Sequence, residues 1–192
     1  MKPTVVQIAG TSGSGKSHLM RAFLKRMRKE AQLVKDVGMA GREGPGGYLV
    51  LCEDGEEVFV PGNYDTPTGG CDTIKEIKTV YELIEAELAK GRHVAYEGLF
   101  CMNQTRGPRL AAELGKRCVV LQLTTPLATC LASVNIRRAE RGAGELANKK
   151  NTEDNYKRSV NFCASMREAG ARVIRVSRDE GLDTMLEVLG IQ

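Results

Sequence analysis

The residues with the clearest chemical content are 10–17, which match the pattern G-x-x-x-x-G-K-[ST] at every fixed position. Glycines let such a loop turn its backbone N–H groups inward around a phosphate, and a helix beginning at Lys16 would add the positive end of its dipole. In this arrangement Lys16 reaches the β- and γ-phosphates, and the Ser17 hydroxyl ligates Mg²⁺. The pattern therefore predicts a site for ATP, or another nucleoside triphosphate, with Mg²⁺.

The triphosphate contacts are expected from the whole loop and the residue after it. These residues are Gly10, Thr11, Ser12, Gly13, Ser14, Gly15, Lys16, Ser17 and His18. The flanking sequence supports this, because an apolar run over residues 5–9 predicts a buried strand before the loop. After the loop, Leu19, Phe23 and Met27 recur at helical spacing and predict a helix with one buried face.

The rest of the chain alternates predicted strands and helices. Further strands are expected at 33–37, 93–96, 118–123 and 172–176, and the glycine-dense stretch 38–47 is expected to be a loop. Asp54-Gly55 lies between two β-rich runs and indicates a hairpin inserted on this plan. The order predicts an α/β fold in three layers, with a mostly parallel five-stranded sheet covered by helices on both faces.

Composition sets the broad class of protein. The chain has 192 residues, of which 42% are hydrophobic and 27% charged, as expected for one globular domain spanning 1–192. No apolar run reaches the roughly 18 residues that cross a bilayer, and the first strand follows the start of the chain at once. We expect a cytoplasmic protein with no membrane partner; nothing in the sequence specifies an oligomeric state.

Cysteine content and net charge limit the kinds of site that the chain is expected to have. Six scattered cysteines and two histidines, without a C-x-x-C pair, argue against a zinc site and indicate reduced, buried thiols. The net charge of +4 permits binding to a polyanion such as DNA without requiring it.

A basic cluster follows the predicted central strand 118–123. The helix after it carries Leu127, Leu131 and Val134 on one face, and this face continues into arginines. They are Arg137, Arg138 and Arg141. An apolar stripe that becomes basic indicates a helix that leaves the core and presents arginines to an anion; the alternative is a solvated helix end.

Three features together resemble the small P-loop kinases that act on nucleotides, nucleosides and polynucleotides. They are the loop 10–17, the strand ending in Tyr96-Glu97-Gly98, and the arginine-rich segment 137–142. The resemblance implies a P-loop NTPase fold in a single kinase domain, with a lid at about 135–151. It also implies that Arg137, Arg138 and Arg141 close over the transferring phosphoryl group and exclude water.

Other P-loop classes fit less well. A GTPase would carry Asn-Lys-x-Asp, whereas the nearest text, residues 148–151, lacks the aspartate. Motor ATPases generally have a longer chain and an apolar strand that ends in Asp, whereas strand 93–96 leads into Glu97 and Gly98.

A kinase of this group needs a carboxylate that accepts the proton of the acceptor hydroxyl. The candidates are Asp65, Asp72 and Glu97, with Asp36 also possible. Asp65 is favoured because it lies in a Gly/Pro-rich loop where no helix or strand explains it. Asp72 has an alternative role as a helix-initiating residue. The alternative role of Glu97 is to hold magnesium through a water molecule.

The identity of the acceptor rests on a further resemblance. The segment Asn63-Tyr64-Asp65 followed by residues 69–72, Gly-Gly-Cys-Asp, resembles phage-encoded P-loop kinases that phosphorylate 5-hydroxymethyluracil within DNA. This implies a nucleotide or DNA substrate, and an exposed Tyr64 would be able to stack on a base. The alternatives are a kinase for a free nucleoside, nucleotide or small metabolite, and an ATPase or regulator that transfers phosphate only to water.

Overall fold

The computed structural model describes residues 2–29, 34–38, 45–52, 55–65, 69–103, 105–143 and 146–191. Seven strands lie in this part of the chain: β1 (Val5–Ala9), β2 (Val34–Gly38), β3 (Pro45–Leu51), β4 (Glu57–Pro61), β5 (His93–Glu97), β6 (Cys118–Leu123) and β7 (Arg172–Val176). The helices are α1 (Lys16–Lys29), α2 (Ile77–Ala89), α3 (Arg106–Leu114), α4 (Leu127–Glu140), α5 (Lys149–Glu168) and α6 (Gly181–Leu189).

The described strands form one sheet in the order β2-β3-β4-β5-β1-β6-β7. Five adjacent strands, from β4 to β7 in this order, are mutually parallel, whereas β3 is antiparallel to both β2 and β4. The predicted α/β class and mostly parallel sheet are therefore confirmed. The predicted count of five strands is wrong, because the β3–β4 hairpin is part of the sheet and its second strand pairs with β5.

The predictions for the loop 38–47 and for the hairpin have different outcomes. The expected loop 38–47 is wrong at its ends, because β2 extends to Gly38 and β3 begins at Pro45; residues 39–44 lie outside the described part of the chain. The hairpin is confirmed by the pairing of Gly47 with Pro61 through Leu51 with Glu57, although Asp54 itself is outside the described residues.

Helices cover both faces of the sheet because the central strands are apolar on both sides. Val6 and Ile8 of β1 pack in one cluster with α1 and α6, whereas Val5 packs with α2 on the other face. Also on that second face, Phe162 and Met166 of α5 pack against β6. Parallel strands buried on both faces place their carboxyl ends at one edge, which is where ligands bind in this architecture.

No helix in the described residues combines the length and the apolar character that crossing a bilayer requires.

Candidate active site

Residues 10–17 connect β1 to α1 at the carboxyl edge of the sheet. Gly13 and Gly15 have φ angles of 80° and 105°, which side-chain-bearing residues rarely adopt. A Cβ atom at Gly13 would also overlap the carbonyl oxygen of Cys130 in α4. Backbone conformation thus requires glycine at both positions, and close packing also requires it at Gly13.

Neighbouring side chains hold the carbonyl groups of this loop. The Thr125 hydroxyl donates a hydrogen bond to the Ser14 carbonyl oxygen at 2.7 Å, and Arg178 Nε donates to the same oxygen at 2.9 Å. Arg178 Nη2 also donates to the Gly13 carbonyl oxygen. The C=O and N–H of one trans peptide unit point in opposite directions, so fixing the Ser14 carbonyl also fixes the Gly15 N–H.

Lys16, Ser17 and Glu97 form a buried charged group beside the loop. The Lys16 ammonium donates to the Thr11 carbonyl oxygen at 3.1 Å, and the Ser17 hydroxyl donates to Glu97 Oε1 at 2.8 Å. Glu97 is only 1% exposed and Lys16 only 7%. Burial raises the pKa of Glu97 and lowers that of Lys16, while the attraction between the two charges opposes both shifts.

A cavity of about 500 Å³ opens above this group. The phosphate loop forms one side through Ser12, Gly13, Gly15, Lys16, Ser17 and His18. Its other charged lining residues are Arg21, Asp72, Glu97, Arg137 and Arg178. Four cations against two carboxylates, next to the N–H groups at the start of α1, make the cavity suitable for a polyphosphate.

Asp72 lies in this cavity, at the start of a 3₁₀ turn over Cys71–Thr73. Its two carboxylate oxygens accept hydrogen bonds from the backbone N–H groups of Leu99 and Phe100, at 3.0 and 3.2 Å. These bonds link the segment after β4 to the segment after β5. A carboxylate has about four acceptor positions, so Asp72 retains capacity to accept a proton or another hydrogen bond.

The favoured candidate Asp65 lies elsewhere. Its carboxylate accepts a hydrogen bond from the Tyr48 hydroxyl at 3.1 Å, and it does not border the cavity. The expectation that Tyr64 is exposed is wrong, because its side chain is 4% exposed and packs against Tyr48. The side chain of Asp36 is outside the described part of the structure.

The three predicted lid arginines differ in their position relative to the cavity. Arg137 borders the cavity, whereas Arg138 is half-buried and Arg141 exposed, and neither borders it. Burial and the nearby charge of Arg141 lower the pKa of Arg137. The turn between α4 and α5 is tied back where the Asn135 side-chain oxygen accepts the Ala147 N–H at 2.7 Å; residues 144–145 are not described.

The cavity residues that the sequence-based prediction missed include Arg21, Phe100 and Arg178. Arg178 follows two residues after β7, at the same edge of the sheet as the loop, and this position was a usable signal. Arg21 is one helical turn beyond Ser17, which places both on one face of α1. Phe100 had no such signal, because its place depends on the contact between Asp72 and the segment after β5.

The parallel sheet with order β4-β5-β1-β6-β7, the glycine loop after β1 and the buried lysine beside a carboxylate define a P-loop phosphotransferase fold. No family model matches the chain. A protein of Pseudomonas phage PaMx11 called 5-hmdU DNA kinase is 33% identical over 189 residues, which cover 98% of each chain. The chain therefore belongs to the family of this kinase, and the predicted kinase class is confirmed.

Two solved structures are also similar over most of the chain. The tunicamycin resistance protein of Deinococcus radiodurans has a TM-score of 0.46 and 13% identity, over 99% of this chain and 97% of its own. The sulfotransferase domain from the curacin biosynthetic pathway has a TM-score of 0.47 and 13% identity, over 100% and 75%.

Proposed function

We propose that this protein, as one kinase domain over 1–192 acting in the cytoplasm, transfers the γ-phosphoryl group of ATP to the hydroxyl of 5-hydroxymethyluracil in DNA. The observation that carries the proposal is a single cavity bordered by both the phosphate loop and the carboxylates Asp72 and Glu97. The full-length relative, whose name specifies a DNA kinase for 5-hmdU, supports the choice of acceptor.

The phosphate loop binds the triphosphate as substrate in this proposal. The N–H groups of the loop and of the first turn of α1 lack intrahelical partners and are suited to the phosphate oxygens. The Lys16 ammonium lies against the Thr11 carbonyl, within the loop itself. There it neutralises charge on the β- and γ-phosphates, which is where charge accumulates during transfer.

Ser17 and Glu97 are the residues that would hold Mg²⁺. Their oxygens lie 2.8 Å apart at the base of the cavity, and Mg²⁺ prefers one or two protein oxygens together with phosphate oxygens and water. When bound, the ion would supply positive charge that stabilises the phosphate oxygens. Burial raises the pKa of Glu97 by disfavouring its charged form, and a bound cation would offset this effect.

Asp72 is the proposed general base. As the hydroxyl oxygen forms its bond to the γ-phosphorus, the bond to the β–γ bridging oxygen breaks and ADP leaves. The hydroxyl proton passes to a free acceptor position of the Asp72 carboxylate. Asp65 and Glu97 remain candidates, but Asp65 lies outside the cavity and Glu97 already accepts the Ser17 hydroxyl.

Arg137 completes the charge neutralisation, because it borders the same cavity as the loop. Arg138 and Arg141 stay predictions as further lid arginines over 135–151. Their contribution requires them to approach the cavity when substrates are bound, as in kinases whose closure excludes water.

The decisive experiment is incubation with γ-labelled ATP and four acceptors: thymine DNA, 5-hydroxymethyluracil DNA, free nucleosides and free nucleotides. Label is expected only in 5-hydroxymethyluracil DNA. Label in a free nucleoside or nucleotide instead would make the protein a small-molecule kinase. Release of labelled phosphate alone, unaffected by any acceptor, would make it an ATPase or regulator.

A further inference from the structure

Phe100 is exposed in a way that the other phenylalanines are not. Its side chain is 70% exposed at the border of the cavity, whereas Phe23, Phe59 and Phe162 are at most 3% exposed. Leaving a phenylalanine in water forgoes the stabilisation that burial gives, so an exposed ring at the border of a cavity suggests a contact surface.

The backbone that carries Phe100 is fixed. The Phe100 N–H donates to Asp72 at 3.2 Å, and the Leu99 N–H donates to the same carboxylate at 3.0 Å. The proposed general base therefore also positions the segment that presents the ring. The distance between the reacting carboxylate and this aromatic surface is set by two hydrogen bonds.

A second cavity of about 270 Å³ also has Phe100 in its lining, so this residue borders both cavities. Its walls are mainly apolar and are formed by Cys71, Ile74, Ile77, Val80 and Cys101. Two polar side chains, Lys75 and Asn103, complete the lining. Apolar walls with a few polar groups suit a heterocyclic base, which has flat apolar faces and a hydrogen-bonding edge.

We propose that this second cavity holds the acceptor pyrimidine base after it has left the DNA stack, with Phe100 as the aromatic surface against the base. The inference rests on the proposed function and deepens it. A base seated between Phe100 and the apolar wall would have its 5-hydroxymethyl group near Asp72, because Asp72 is adjacent in sequence to Cys71 and bonded to the Phe100 N–H.

Flipping follows from the position of the reacting groups. Lys16, which contacts the transferred phosphoryl group in this proposal, is only 7% exposed in the concave cavity that Asp72 also borders, whereas a nucleobase within a duplex is stacked between its neighbours. Enzymes that modify such a base extrude it, and the unstacking is least costly for a mismatched or single-stranded base. Transfer should therefore be faster to 5-hydroxymethyluracil opposite guanine than opposite adenine.

The first test compares Phe100→Ala with Val160→Ala, which truncates another exposed apolar side chain on α5, away from both cavities. Loss of the stacking surface should raise the KM for 5-hydroxymethyluracil DNA about ten-fold. The KM for ATP should change less than two-fold. Val160→Ala should leave both constants unchanged. An unchanged KM for DNA in Phe100→Ala would overturn the inference.

The second test monitors the base directly in the wild-type protein. A duplex with 2-aminopurine next to 5-hydroxymethyluracil should fluoresce several-fold more strongly when the protein binds, because the neighbour loses its stacking partner. Ile77→Phe, which fills the second cavity, should abolish this increase while ATP binding measured by calorimetry persists. No increase with the wild-type protein would overturn base flipping.

Failure of the inference and failure of the proposed function give different results. Label that enters 5-hydroxymethyluracil DNA with equal KM for wild-type and Phe100→Ala overturns only the base cavity. Label that enters the free nucleotide and no DNA overturns the proposed acceptor, and the flipped base with it. Equal rates on matched and mismatched duplexes also count against flipping.

Discussion

The two sides of the cavity are built in different ways. The donor side is one continuous segment, 10–17, whose backbone conformation is set by glycines and whose carbonyls are held by Thr125 and Arg178. The proposed acceptor side brings together Asp72 from the segment after β4 and Phe100 from the segment after β5. We therefore expect triphosphate binding to depend mainly on backbone geometry, and acceptor recognition to depend on side chains and their mutual contacts.

This difference suggests how the two sides respond to substitution. Changes on the donor side should act on ATP binding and on the stabilisation of transferred charge. Changes on the acceptor side should act on the proton transfer and on the KM for DNA. A substitution that altered both sides equally would contradict the division.

The largest effect is expected for Lys16→Ala. Loss of the ammonium removes the charge beside the β- and γ-phosphates, so transfer should fall about a thousand-fold or more. Single-turnover transfer from labelled ATP measures this, with exposed Lys25→Ala on the same helix as the control. Since Lys16 is buried beside Glu97, thermal unfolding should confirm that the variant is folded. Activity within ten-fold of wild type would remove Lys16 from the mechanism.

A large effect confined to the acceptor side is expected for Asp72→Asn. An amide cannot take the hydroxyl proton, so kcat should fall about 10²- to 10⁴-fold with little change in the KM for ATP. Asp65→Asn is the matched control and should stay within two-fold of wild type, because Asp65 does not border the cavity. A larger loss of kcat in Asp65→Asn than in Asp72→Asn would indicate that Asp65 is the general base.

A moderate effect on the donor side is expected for Arg178→Ala. The variant loses the hydrogen bonds to the Gly13 and Ser14 carbonyls, so the KM for ATP should rise about ten-fold. The KM for DNA should be unchanged. Arg178→Lys should restore only part of the affinity, since an ammonium does not reproduce the forked donors of a guanidinium. A raised KM for DNA would show that Arg178 acts on both sides.

The smallest effect is expected away from both sides, at Glu87. Its carboxylate accepts hydrogen bonds from Lys90 and Arg92, each at 2.6 Å. Burial raises the pKa of Glu87, but these two hydrogen bonds outweigh it and the net pKa is lowered. The ionised form is thus stabilised by folding. At pH 7 Glu87→Gln should reduce the free energy of unfolding by about 1–2 kcal/mol without changing activity.

The pH dependence of this stabilisation follows from the sign of the shift. A lowered pKa contributes stability above the unfolded value of 4.5, and the contribution is lost as the pH falls through the lower folded value. The difference between wild type and Glu87→Gln should therefore vanish in acid, as urea titrations at several pH values would show. Glu82→Gln, at an exposed ion pair with Lys78, should change stability by less than about 0.5 kcal/mol. A pH-independent difference at Glu87 would contradict the ion-pair account.

The same division explains what the sequence predicts. The loop 10–17 and its flanking strand and helix were predictable because the signal is local: fixed residue types at fixed spacing. Arg137 was reached through the apolar stripe of its helix. The mostly parallel sheet followed from the alternation of elements, but local patterns did not show that β4 pairs with β5.

The acceptor side was less predictable because its geometry is tertiary. Asp65 and Asp72 look alike in sequence, both within a turn-rich segment, and only the hydrogen bonds to Tyr48 or to Leu99 and Phe100 separate them. Tyr64 was expected to be exposed and able to stack on a base. Its ring is buried against Tyr48 of β3. The hairpin that contains β3 was treated as an insertion, so this contact was not predicted from the sequence.

The most direct measurement is the rate of ADP release with two duplexes, one containing 5-hydroxymethyluracil and one containing thymine. The two duplexes differ only in the hydroxyl on the methyl group at C5 of the base. We expect slow release with ATP alone or with the thymine duplex, and a strong increase with the 5-hydroxymethyluracil duplex. Equal release with both duplexes would contradict the claim that one cavity joins a triphosphate to a hydroxyl acceptor in DNA.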